Sequence, residues 1–119
     1  MRYVSLLVVC LLVFGVAPAT AQNAKKIKSE KEFRALVVDK KLSADKDWMI
    51  VKSNGTTEGH IFGEKFSANW VWQNGMYCRN AIMGKRKLGT DCQAVSIAGK
   101  SVSFRREYGK GKTGVMQLP

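Results

Sequence analysis

Histidine occurs once, proline twice and cysteine three times in these 119 residues, and 9 acidic side chains face 20 Lys and Arg. Each shortage excludes something. A lone His60 cannot assemble a metal centre without several carboxylates or thiols, so no metal is expected and His60 is read as a surface or rim residue. There is no Gly-x-Gly-x-x-Gly after a strand, no nucleophile elbow, no His-Glu-x-x-His and no Walker loop. Gly109-Lys110-Gly111-Lys112 comes nearest to a phosphate loop, but it stands near the C-terminus with no helix able to follow. A dinucleotide-binding domain alone needs roughly 100–150 residues, which leaves no room for a substrate domain. No cofactor is expected, and Glu58 with Asp91 is too ordinary a carboxylate pair to argue for an enzyme. Few prolines and 9% aromatics speak for a folded chain.

No apolar run reaches the roughly 20 residues of a membrane-spanning helix. The longest, Val4 to Val16, follows Arg2 and ends in Ala17-Pro18-Ala19-Thr20-Ala21, with small side chains where a signal peptidase reads. Residues 1–21 are therefore an expected signal peptide, and the mature chain is expected to be periplasmic or secreted and not membrane-spanning. Cys10 leaves with the leader. The remaining domain of about 98 residues buries only about two-thirds of its unfolded surface, so a staple is useful. Cys78 and Cys92 supply an even pair, read as a disulfide. A redox dithiol would instead want C-x-x-C spacing.

Gln22 to Lys28 is polar and Lys-rich and reads as a basic flexible arm. Residues 29–119 then form a single domain. Ser29 three residues before Glu32 predicts a reciprocal capping box, and Phe33, Leu36 and Val37 at helical spacing predict a helix over 29–38. Beyond it the hydrophobic period changes to two. Turn residues recur at intervals of about ten, among them Asn54-Gly55 and Asn74-Gly75. The predicted strands are 48–53, 56–62, 66–73, 76–83, 88–97, 101–107 and 113–118. The expected fold is mainly β: a short N-terminal helix followed by a seven-strand antiparallel meander, forming a curled sheet or small barrel.

A two-residue turn at Asn74-Gly75 sets Trp72 opposite Tyr77 and Trp70 opposite Arg79. With a four-residue loop at 84–87 centred so that Cys78 meets Cys92, the same register sets Arg79 opposite Asp91 and Tyr77 opposite Gln93. Through Gly99, Ile97 meets Val102 and Val95 meets Phe104. One face then carries Phe66, Ala68, Trp70, Trp72, Tyr77, Arg79, Asp91, Gln93, Val95, Ile97, Val102, Phe104 and Arg106, and it is read as the inner face. The other is rich in Ser and Asn around the cysteines. A three-residue loop at 63–65 would add Glu58, His60 and Phe62 to the inner face, whereas a two-residue turn would reverse those strands.

The pattern Trp70-x-Trp72-x-x-Gly75-x-Tyr77-Cys78-Arg79, then Asp91-Cys92-Gln93-x-Val95, then Phe104-Arg105 and Gly109-x-Gly111 resembles a group of short exported proteobacterial proteins. The resemblance covers essentially everything after the leader. It implies the leader, the Phe33/Leu36/Val37 helix, the Gly hairpins and the paired cysteines. Some of that group carry the label dihydrodipicolinate reductase, but such a reductase holds its cofactor pyrophosphate on a Gly-rich strand-to-helix turn that this chain lacks.

The candidate cluster is Trp70, Trp72, Tyr77, Arg79, Asp91, Gln93 and Arg106. In the preferred reading Arg79 stacks on Trp70 and pairs with Asp91 as a satisfied polar patch in the core. In the other, Arg79 with Arg106 and Gln93 lines a cup for a small anion or acidic ligand. The expected function is a small exported non-enzymatic binding protein with a basic surface and an aromatic inner face, meeting an anionic envelope component or small anion. The alternative is an inhibitor or interaction module that meets a partner protein through basic loops such as Lys85–Lys87. Nucleic acid is not an expected partner of an exported chain.

Overall fold

In the computed structural model the structure is described for residues 23–119, so the expected leader with its Cys10 lies outside the described residues. The elements are β1 (Lys25–Lys26), α1 (Glu30–Leu36), β2 (Lys41–Ala44), β3 (Asp47–Val51), β4 (Thr56–Ile61), β5 (Glu64–Gln73), β6 (Met76–Met83), β7 (Arg86–Ala98), β8 (Ser101–Arg105), a helical turn α2 (Arg106–Gly109) and β9 (Thr113–Gln117). Strands β2 to β9 run up and down in sequence order, and β9 returns to β2 through Ser43 opposite Gln117. The result is a closed eight-strand antiparallel barrel with β1 as an extra strand. Closure leaves no long free edge along the wall. Among the described residues no helix is long and apolar enough to cross a membrane.

The expected pairings hold residue by residue: Trp72 faces Tyr77, Trp70 faces Arg79, Cys78 faces Cys92, Arg79 faces Asp91, and Val95 faces Phe104. Cys78 and Cys92 are joined on the outer side of β6 and β7, with S–S 2.09 Å. Closing a loop of roughly 15 residues contributes about 3 kcal/mol in the chain-entropy model.

Five expectations are corrected. The arm at 22–28 is not free throughout, because Lys25 and Lys26 pair with Ile97 and Ser96, and Ile27 is fully buried. The helix keeps half of its capping box: Ser29 Oγ accepts from Glu32 N at 3.2 Å, while the Glu32 carboxylate turns to Lys25 Nζ at 3.6 Å. The turn between β4 and β5 has two residues, Phe62 and Gly63, both at positive φ, with Ile61 opposite Glu64. This places Thr57 and Gly59 inside and leaves Glu58 and His60 exposed, so His60 is on the surface. Finally, β2 was not anticipated. Leu42 is its one strongly buried residue, and its main role is to close the barrel.

The loop at 84–87 is also built differently. The turn is only Gly84-Lys85, with Met83 opposite Arg86, and a bulge at Leu88 restores Ala81 opposite Gly89. The two-residue turn and the one-residue bulge together set the register in which Cys78 meets Cys92.

Candidate functional site

The hairpins divide the barrel into two ends. The β3–β4, β5–β6 and β7–β8 connections lie at one end, and α1 closes it. Phe33 enters there, stacking on Trp72 at 4.8 Å and meeting Trp70 edge-on at 5.5 Å. Trp70 Nε1 donates to the Lys52 carbonyl at 2.9 Å, and the guanidinium over the Trp70 ring, at 5.0 Å, is that of Arg34 on the helix. Both tryptophans thus belong to a filled core under the helix plug, and Arg79 does not stack on Trp70.

The other end is open. A cavity of about 370 Å³ enters between the β4–β5 and β6–β7 turns and reaches down to Tyr77, Gln93 and Phe104. That is near the lower limit of the roughly 300–1,000 Å³ typical of small-molecule sites. Tyr77 partitions the barrel: it touches Phe33 (5.8 Å) and Trp70 (6.0 Å) on the plugged side and Phe104 (5.7 Å) beside the cavity. Met49, Ile61, Phe66, Met83 and Met116 make the cavity wall apolar. Methionine packs adaptably, so such a wall tolerates ligands of differing shape.

Arg79, Gln93, Tyr77 and Arg106 come together at this cavity, as the cup reading required, and Asp91 is not among its lining residues. Arg79 is only 9% exposed. Its Nη1 donates to the Gly89 carbonyl at 3.1 Å. Among the described residues no carboxylate lies within ion-pair distance of Arg79. The expected Arg79–Asp91 ion pair is therefore absent: Asp91 accepts from Gln93 Nε2 at 3.1 Å and from the Glu107 amide at 3.0 Å. Burial lowers the pKa of Arg79, against the pull of Asp91 and Tyr77, and Arg106 lowers it further. A guanidinium keeps its charge at neutral pH regardless. The Leu88 bulge matters here, since a bulge redirects backbone groups beside a site. Gly89, at φ +74, presents the carbonyl that holds Arg79.

Arg86 also lines the cavity but is held by Glu64 at 2.9 Å. The bulge, the methionines and Thr57 were not legible as site features. Once the two-residue turn at Phe62-Gly63 is known, period two alone places Ile61 and Met49 on the wall.

Tyr77 is buried, and its hydroxyl shares a 2.7 Å hydrogen bond with Thr57 Oγ1. Burial raises its pKa from 10.0 to about 12, although Thr57 and Arg79 pull the other way. The folded state therefore keeps a proton that the unfolded chain loses. The stability from this group is present below pH 10 and falls as pH rises toward 12, by about 2–3 kcal/mol in all. Absorbance titration should show one tyrosine ionising only near pH 12. Tyr77→Phe should remove that step and flatten this part of the alkaline loss in urea unfolding.

Compared with family models, with curated proteins and with solved structures, the chain matches none of them.

Proposed function

We propose that this chain is an exported, non-enzymatic binding protein that holds an anionic amphiphile in the open half of its barrel. One observation carries the reading: a buried guanidinium borders an apolar cavity and has the Gly89 carbonyl as its hydrogen-bond partner, with no carboxylate in ion-pair range among the described residues. A buried cation costs several kcal/mol unless something pairs with it. A ligand carboxylate or similar acid group would supply that pair, and Gln93 and Arg106, which line the same cavity, would help orient it. Its apolar chain would lie along Met49, Phe66, Met83 and Met116. The expected leader and the disulfide both suit an oxidising compartment outside the cytoplasm.

Calorimetric titration with decanoate, decanol and inorganic phosphate tests this. Decanoate should bind and raise the melting temperature, with decanol and phosphate each at least tenfold weaker. Equal binding of decanol, or no binding of decanoate, overturns the reading.

A further inference from the structure

The β4–β5 and β5–β6 hairpins use the same kind of turn with different residues. At the plugged end it is Asn74-Gly75, with Asn74 at φ +52. Asparagine is among the few non-glycine residues that take this left-handed conformation readily. At the open end it is Phe62-Gly63, with Phe62 at φ +51. The phenylalanine is 74% exposed, so it gains little burial in return for an unfavourable backbone. Its amide donates to Asp47 Oδ1 at 3.0 Å, which fixes the turn. Folding alone does not account for phenylalanine there.

The surroundings indicate what the ring meets. Leu88, pushed out by the bulge and 39% exposed, is the second apolar residue of this rim, and both side chains are continuous with the cavity wall. Lys46, Lys85 and Lys87 sit on or beside the turns of this end, and Lys110 and Lys112 on its β8–β9 connection. None of these lysines forms an ion pair among the described residues. Of the acids at this end, Glu64 is paired with Arg86, which leaves Asp45, Asp47 and Glu107 against the five lysines. Apolar tips ringed by free cations match a surface with anionic headgroups above hydrocarbon.

We infer that the open end of the barrel docks on an anionic lipid surface, with Phe62 and Leu88 entering the interface and the lysines at the headgroups. This goes beyond the cavity reading and does not need it, because docking is measured with no cavity ligand present. Co-sedimentation with vesicles of phosphatidylcholine alone, or mixed with phosphatidylglycerol, provides the test. Wild type should bind the mixed vesicles and leave the neutral ones.

Phe62→Asn restores the residue favoured by the turn, so its melting temperature should hold or rise. Its partition onto the mixed vesicles should nonetheless fall tenfold or more, the loss expected for one apolar side chain. Lys85→Gln with Lys87→Gln should weaken binding at low salt and reduce its salt dependence. No binding by wild type overturns the inference. So does binding by Phe62→Asn equal to wild type, which would mark the lysines as a general polyanion surface.

Discussion

Arg79→Met is expected to make the protein more stable and less able to bind. The substitution removes a cation that is 9% exposed and has no acid partner in range among the described residues, and replaces it with an apolar chain of similar length in an apolar wall. Exchanging a poorly compensated buried charge for packed hydrocarbon commonly gains on the order of 1–4 kcal/mol. Solvent reaching the guanidinium through the open cavity puts the expected gain at the lower end, about 1–2 kcal/mol, or several degrees in melting temperature for a domain this small. Decanoate affinity should fall about 10–150-fold, the value of a charge-assisted hydrogen bond, while decanol is unaffected. Urea unfolding and calorimetry of the same variant decide it. A loss of several kcal/mol would mean that Arg79 is a structural member of the barrel and not a vacant partner for a ligand.

The second large effect lies in the wall. Gly59 faces inward from β4, opposite Met49 on β3. A Cβ there would collide with the Trp48 carbonyl oxygen and stand 2.8 Å from Met49 Cβ. The obstructing oxygen is backbone, so relief requires β3 and β4 to move apart in a closed ring. Gly59→Ala should therefore cost at least the upper part of the usual overpacking range, about 3 kcal/mol or more, a large share of a small domain's stability. Gly63 provides the contrast: a Cβ added there meets nothing within 4 Å, and only its φ of +77 opposes the change. Gly63→Ala should cost about 1–2 kcal/mol, the ordinary penalty for a left-handed alanine. Equal losses in urea unfolding would show that close strand approach is not what Gly59 provides.

Several features were legible before any coordinates because they depend on neighbouring residues. Ser29 caps α1, period two marks the strands from Trp48 onward, and Asn74-Gly75 sets Trp72 against Tyr77. Pairing the two cysteines across β6 and β7 then sets Arg79 against Asp91, although the turn is shorter than expected and the bulge at Leu88 makes up part of the register. Opposition across a ladder does not determine what the side chains do next. A carboxylate within reach of both a guanidinium and two amide donors goes where the backbone leaves room, and Asp91 goes to Gln93 and the Glu107 amide.

What only the tertiary structure decided has one common cause: it depends on residues far apart in the chain. β2 is a strand because β3 and β9 accept it, Lys25 and Lys26 pair because β7 extends past the end of β6, and Ile27 is buried because a core waits beneath it. The division of the aromatic face into a filled half and an open half follows from where Phe33 is inserted, which no strand pattern encodes. By itself the sequence determined the strands from β3 to β9, the register at Asn74-Gly75 and the staple, which local sterics and hydrophobic periodicity set. Closure of the ring, the helix plug and the release of Arg79 from Asp91 are decided by packing across the whole barrel, where non-local contacts compete for the same space.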